Sequence, residues 1–391
     1  MDLDIDRIRA ETPGVSHSTH LLAAGSALMP QPVIDAIIKH TELEARLGGY
    51  EAYGQHAETL DQVYDTTATL IGAKRREIAV MENASVAWCH AFYALPLAPG
   101  SRILTCEAEY GANYVAFLQR AKRENLTIDV VPSDASGQLD LAALEAMIDA
   151  RVSLIAITWI PTNGGLVNPA AGVGKIAKKH DIPYLLDACQ AVGQMPVDVT
   201  EIGCDFLSAT GRKFLRGPRG TGFLFVREKW LETLEPAMID FFGAPWTDTN
   251  SYGLRDDARR FETWENSYAL RAGLRAAVDY ALSIGLDAIQ SRAWDLAARC
   301  RKRLGELSGV RVRDLGTKPC AIVSFSVEGR EPQQIVADLR ARGIVIGASA
   351  PSSTRLDADA RDLPTLLRLA PHYYNTETEI ERFIEALDAL A

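Results

Sequence analysis

Residues 205–226 read Asp-Phe-Leu-Ser-Ala-Thr-Gly-Arg-Lys-Phe-Leu-Arg-Gly-Pro-Arg-Gly-Thr-Gly-Phe-Leu-Phe-Val, and Lys213 stands at their centre. The short polar segment Ser208–Arg212 precedes it, and Gly217, Gly220 and Gly222 follow. Phe223–Val226, apolar and bounded by glycine, predicts a buried strand. A lysine presented on such a turn, among cationic and hydroxyl groups, can lose its proton and attack a carbonyl carbon. A lone Gly-Arg-Lys more often belongs to a solvated basic loop, so the weight of this reading rests on the rest of the chain.

On either side of this stretch, strands and helices alternate. Arg102–Cys106, Thr127–Val131, Leu154–Trp159, Tyr184–Asp187 and Phe206–Ser208 predict strands. Tyr110–Glu124, Leu139–Ala150 and Ala170–His180 predict the helices between them. Ile78–Met81 predicts a further strand, followed by an apolar helix from Val86 to Leu95. The pattern implies an α/β fold with a mostly parallel sheet covered on both faces, and such sheets bind ligands at their strand ends. Upstream, a helix spans Val33–Leu47; Gly48, Gly49 and Gly54 break it before a second helix over Ala57–Ile71. Beyond Phe261 the pattern changes. Long helices (Leu270–Ile284, Ile289–Leu307), strands (Arg311–Leu315, Ala321–Val327, Ile344–Gly347) and further helices (Pro332–Arg342, Ile380–Leu390) describe a small α+β domain. The expected division is a large domain over 26–270, a small C-terminal domain over 271–391, and a segment 1–25 that packs on the small domain.

Composition narrows the function. Of 391 residues, 47% are apolar and 24% charged, as in ordinary globular enzymes. A net charge of −10 argues against a nucleic-acid partner. No apolar run reaches membrane-spanning length, and the acidic N-terminus does not read as a signal peptide. The six cysteines have no Cys-x-x-Cys or zinc-ribbon spacing, so no metal is expected and reduced thiols in a cytoplasmic protein are.

Polar residues gather at predicted strand ends. Asp187 closes Tyr-Leu-Leu-Asp, where a buried carboxylate is costly unless paired, and a protonated pyridine nitrogen is a natural partner. Gln190 follows in Asp187-Ala-Cys-Gln190. Asn83-Ala84-Ser85 closes an earlier strand, where free N–H groups suit an anion, although an ordinary helix cap explains the same residues. Tyr110 follows another strand. No Gly-x-Gly-x-x-Gly follows the first strand, which argues against a nicotinamide-binding Rossmann enzyme.

Taken together, the chain resembles the class V aminotransferase family of pyridoxal-5′-phosphate (PLP) enzymes, the group that includes cysteine desulfurases and selenocysteine lyases. The resemblance rests on Pro161-Thr-Asn-Gly-Gly165, Asp187-Ala-Cys-Gln190, Thr210-Gly-Arg-Lys213 with its glycine tail, Arg260-Phe-Glu-Thr-Trp-Glu265, and Arg368 followed by His372-Tyr-Tyr-Asn-Thr376. It implies PLP-dependent fold type I. It also implies roles. Lys213 forms the Schiff base and moves protons, Asp187 pairs with the ring nitrogen, and Gln190 donates to the phenolic oxygen. Tyr110 stacks on the ring, at a position often held by histidine in relatives. Ala84, Ser85, Thr210 and Arg212 hold the phosphate. Asn163 lies near cofactor and substrate, and Arg368 clamps the substrate carboxylate. The loop bearing Trp264 reaches a partner's site, implying a homodimer with composite active sites.

The reaction is less determined. Desulfurases of this family carry a nucleophilic cysteine before the carboxylate-binding arginine, whereas Gly347 to Leu367 holds none here. A serine hydroxyl is barely ionised at neutral pH and cannot take over that role. The resemblance therefore points to a carbon–sulfur β-elimination lyase acting on a cysteine-derived amino acid. Transamination with a keto acid, and racemisation or epimerisation, stay open. So does a non-enzymatic dimer with a degenerate PLP fold, although such a protein has no reason to keep Lys213, Asp187 and Arg368 together. Tyr50, Tyr53, His56 and Gly347–Arg355 are candidates for the substrate pocket.

Overall fold

Seven strands form the sheet that the alternating pattern predicts. The computed structural model describes residues 3–390, so positions 1, 2 and 391 of the expected segments lie outside it. In chain order the strands are β1 (Thr19–His20), β2 (Ile78–Met81), β3 (Arg102–Cys106), β4 (Thr127–Val131), β5 (Val152–Thr158), β6 (Tyr184–Asp187), β7 (Phe206–Thr210), β8 (Gly222–Val226), β9 (Trp246–Asp248), β10 (Ser251–Tyr252), β11 (Val310–Val312), β12 (Val323–Val327), β13 (Ile344–Val345), β14 (Gly347–Ser349) and β15 (Leu366–Leu369). The large sheet runs β2-β8-β7-β6-β5-β3-β4. Strands β3 to β7 pair in parallel; β8 is antiparallel to both neighbours, because the Lys213 loop turns the chain straight back from β7.

Side chains alternate across this sheet with period two. Ile155, Ile157, Leu186, Leu207 and Phe225 join one apolar cluster, while Leu154, Ala156, Leu185, Phe206 and Leu224 join another on the opposite face. Both faces are buried, as a sheet covered by helices requires. Each of the leucine, isoleucine and phenylalanine side chains contributes about 1.5–3 kcal/mol on leaving water.

A second sheet, β11-β12-β15-β14, is antiparallel throughout. The N-terminal segment joins this part of the chain, since β1 pairs in parallel with β13. A division at 270/271 falls inside one helix, Tyr268–Ile284, whose main packing partners are the helices Gln31–Leu47 and Val63–Ile71 of the large-sheet region.

Several sequence expectations need correction. Gly49 and Gly54 do not break a helix but lie within one, Gly49–Asp61; only Gly48, at φ 89°, ends the preceding helix. A helix tolerates glycine at a modest cost, whereas a positive φ cannot continue it. The helix expected over Leu139–Ala150 covers only Leu141–Ala146, because the Asp140 side chain caps it and Leu139 bridges to Ser133. Strands β14 and β15 and the β9–β10 hairpin were not anticipated.

A buried cage fastens the Lys213 loop to both chain ends. Arg216, in left-handed backbone at φ 61°, donates its N–H to the Lys213 carbonyl at 2.9 Å. Its guanidinium donates to Thr12 Oγ1 (2.6 Å), the Leu28 carbonyl (2.8 Å) and the Tyr373 hydroxyl (2.7 Å). The rings of Tyr280, Tyr373 and Tyr374 surround it. Beside it, buried His372 donates from Nε2 to the Phe214 carbonyl at 2.7 Å, and Nδ1 has no partner among the described residues.

Burial, with Arg216 adding repulsion, lowers the His372 pKa to about 3 from 6.5. Between those values the unfolded chain holds the extra proton and the folded chain does not, so stability rises with pH and is lost as pH falls. From pH 7 to pH 5 this one group is expected to remove about 2 kcal/mol. Urea unfolding of the parent and of His372→Gln at both pH values checks this; an equal loss in both proteins refutes it.

Candidate active site

The C-terminal ends of β5, β6 and β7 converge on one small cavity. It is lined by Tyr110, Thr158, Ile160, Thr162, Asp187, Cys189, Gln190 and Lys213. Four of these are sequence candidates: Tyr110, Asp187, Gln190 and Lys213. The loop bearing Lys213 is shaped by close backbone approach. Gly217 N–H bonds to the Gly211 carbonyl at 2.7 Å, and a Cβ on Gly222 would sit 2.5 Å from the Ala209 carbonyl oxygen.

Burial pushes the Lys213 amine below the ordinary lysine range. Cys189 and Asp187 oppose the shift, and the guanidiniums of Arg212 and Arg368 add to it. Asp187 ends β6 and is buried; it accepts from Cys189 N–H (2.9 Å) and from Asn113 Nδ2 (3.0 Å). Gln190 is also buried, with Nε2 near the Ala24 carbonyl (3.2 Å) and Oε1 without a partner.

Two arginines next to the cavity face no carboxylate among the described residues. Arg368, on β15, rests one nitrogen, Nη1, on the Thr162 carbonyl (2.9 Å) and on the Thr162 hydroxyl. Its Nε is buried and unpartnered. Burial, reinforced by Arg212, lowers its pKa to about 10. Arg212 donates to the Gly25 carbonyl, and burial lowers its pKa as well. Two half-buried cations without a counter-charge among the described residues make a receptor for anions.

Asn83 caps the helix Ala84–Ala94, accepting from Val86 N–H at 3.0 Å. The cap leaves the N–H groups of Ala84 and Ser85 without partners among the described residues. Met81, Gly222 and Thr210 are in register across β2, β8 and β7, so this helix start lies on the same sheet edge as the Lys213 loop. The Asn83 cap is present, and it does not compete with an anion for these N–H groups.

Other candidates are placed differently. The one proton of the Thr210 hydroxyl goes to the Thr221 carbonyl at 3.2 Å. Asn163 is tied at both ends of its amide, donating to Thr354 Oγ1 (2.7 Å) and accepting from Ser349 Oγ. It thus joins the loop after β5 to the stretch after β14, which also covers Gly111: a Cβ there would lie 2.5 Å from the Ser352 carbonyl oxygen. Trp264 is 43% exposed and packs on Phe241 and Phe242, in a separate groove with Tyr50 and Tyr268. Sequence reading missed Glu109, Asn113, Thr158 and Thr162, all beside the cavity. Glu109, Asn113 and Thr158 had no signal beyond position next to predicted strand ends; Thr162 lies within Pro161-Thr-Asn-Gly-Gly165 but was not singled out there.

The chain is similar over its whole length to proteins of known family. It is 29% identical to a probable cysteine desulfurase of Xylella fastidiosa, covering 98% of this chain and 95% of that one. A cysteine desulfurase of Serratia proteamaculans is 27% identical, covering 100% and 99%. The solved apo structure of the cysteine desulfurase from Thermococcus onnurineus superposes with a TM-score of 0.92 at 26% identity, covering 100% of this chain and 98% of that one. Residues 19–383 match the model of the family described as Aminotransferase class-V, and the chain belongs to that family.

Proposed function

We infer that this protein is a PLP-dependent enzyme acting on a cysteine-derived amino acid, with cleavage of the carbon–sulfur bond by β-elimination. One observation carries the reading. A desolvated lysine amine and a buried aspartate line one cavity, and an arginine that faces no carboxylate rests on its wall. The residues present fit the cofactor. Gln190 Oε1 is an orphaned buried acceptor beside the lysine, while Nε2 is given to the Ala24 carbonyl, so a bound group that offers a donor there would satisfy it. The free N–H groups of Ala84 and Ser85, with the Arg212 guanidinium, suit a phosphate.

When bound, PLP supplies an electrophilic aldehyde and a ring that accepts electrons. Lys213, its amine pushed below the ordinary lysine range by burial, would hold the aldehyde covalently and would take the proton from the substrate α-carbon. Asp187 would be the partner of a protonated ring nitrogen. Arg368 orients the substrate through its carboxylate. Tyr110 packs at the cavity wall, where burial raises its phenol pKa, so it serves as a surface for stacking rather than as a base.

Elimination is favoured over persulfide transfer because residues 347–367 contain no cysteine. Cys189 does line the cavity, but burial holds its thiol well above the ordinary range. The relatives carry the name cysteine desulfurase; this chain shares their scaffold and lacks that loop thiol. Transamination remains the second reading, since the same lysine and arginine serve it.

We propose further that two copies associate, with the exposed aromatics Tyr50, Phe241, Trp246 and Trp264 in the contact and Trp264 reaching the partner's site. The boundary between large and small domains is proposed at Gly285, after the helix that packs on the large-sheet region. Six free cysteines fit a cytoplasmic location, and no described helix is long and apolar enough to cross a membrane.

The test is a screen of cysteine S-conjugates and sulfoxides with pyruvate, ammonia and sulfide followed together. Stoichiometric pyruvate without pyridoxamine phosphate is expected. Pyridoxamine phosphate accumulation selects transamination, and a protein-bound persulfide after incubation with cysteine overturns elimination.

A further inference from the structure

Behind Asp187 lies a second buried carboxylate that the reaction as outlined does not use. Glu109 precedes Tyr110 after β3 and is 3% exposed. Its Oε1 accepts from Tyr110 N–H (2.9 Å), Thr158 Oγ1 (2.5 Å) and Asn113 Nδ2 (2.8 Å). Its Oε2 accepts from Thr158 N–H (2.9 Å) and Thr105 Oγ1 (3.0 Å), with Cys106 Sγ at 3.7 Å. Few surface carboxylates receive so many donors, and this one faces no arginine or lysine within ion-pair distance among the described residues.

The same Asn113 amide nitrogen that reaches Glu109 also donates to Asp187 Oδ2 at 3.0 Å. An amide carries two N–H donors, so one hydrogen goes to each acid. Asn113 is itself 4% exposed and cannot swing away to water. Two acids therefore sit on either side of one fixed amide, in a region of low dielectric. Like charges that close feel each other strongly.

We propose that Glu109, acting through Asn113, is a positioning residue that fixes the orientation of Asp187 and sets how tightly Asp187 and the cofactor ring share a proton. The inference rests on the PLP reading above. Glu109 strengthens the negative potential behind Asp187 and so favours the protonated ring. Asn113 works in the opposite sense, since its N–H stabilises Asp187 as a free anion. The other titratable groups around the pair are Tyr110 beside Glu109, Cys106 on β3, Tyr184 and Cys189 at β6, and Lys213 across the cavity. Burial raises the Glu109 pKa to about 7, with Thr158 and Asn113 pulling it down and Asp187 pushing it up. Its charge is thus fully present only above neutral pH.

The experiment is a pH titration of the visible absorption band of the PLP-loaded protein. Glu109→Gln removes a negative charge at nearly constant shape, and the apparent pKa of the band is expected to fall by about one unit. Asn113→Ala removes a donor from Asp187 and from Glu109; in the pH range where Glu109 is ionised, the apparent pKa is expected to rise. Glu109→Asp keeps the charge and should follow the parent more closely than Glu109→Gln does. A role confined to folding lowers Tm in all three without opposite spectral shifts. Unchanged titrations, or shifts of the same sign in Glu109→Gln and Asn113→Ala, overturn the proposal. If Glu109→Gln does not fold, Asn113→Ala decides alone: a rise supports the proposal and no change refutes it. A parent protein that forms no visible band with PLP takes down the cofactor reading itself, which is a distinguishable failure.

Discussion

Lys213→Ala is expected to lower turnover by at least about 10⁴-fold while leaving the fold intact. Two functions are lost together, the covalent bond to the aldehyde and the proton transfer at the substrate α-carbon, and losses within one catalytic unit do not add simply. The fold should not suffer. The amine lies in a desolvated cavity close to Arg212 and Arg368, and it makes no hydrogen bond or ion pair among the described residues. Removing a cation from such surroundings relieves repulsion and desolvation, so the Tm of the cofactor-free variant should equal or exceed that of the parent. The parent should also retain its cofactor through denaturation after borohydride reduction, and the variant should release it. Turnover in Lys213→Ala within tenfold of the parent, or equal retention of cofactor, defeats the assignment of Lys213.

What the sequence made legible follows a physical divide. Lys213 and Asp187 could be found because one stands on the turn between two buried apolar strands and the other closes such a strand, and a charge there demands a reason. The large sheet could be found because its strands are continuous apolar runs separated by helices. Arg368 was reached only through family resemblance. Its strand, Leu366–Leu369, lies between Pro364 and Pro371, too short for periodicity to be seen. Glu109, Asn113 and Thr158 are ordinary polar residues at the start of a helix or the end of a strand. Their role arises from the parallel pairing of β3, β5 and β6, which no local pattern records. Trp264 is the reverse case. Its motif stood out, and its side chain lies in a separate exposed groove, as a residue proposed to reach a partner's site must.

Arg368 offers the second large effect, and its geometry predicts that lysine will not replace it. Nη1 is held by the carbonyl and hydroxyl of Thr162, while Nε has no partner. Arginine can be anchored on one nitrogen and still present others to a carboxylate, because its donors form a fixed planar fork. A lysine ammonium is a single point. It would be captured by Thr162 or would leave Thr162 for the substrate, and either way one partner goes unsatisfied. Loss of one member of a buried charged pair costs about 2–5 kcal/mol, so both Arg368→Lys and Arg368→Ala should reduce kcat/KM by roughly 10²–10³-fold. A decarboxylated substrate discriminates between roles. The parent should process a cysteamine S-conjugate far more slowly than the matching cysteine S-conjugate, and Arg368→Ala should show little difference between the two. If Arg368→Ala loses activity equally on both, the arginine is not reading the carboxylate, and its place beside Thr162 serves only to join β15 to the loop after β5.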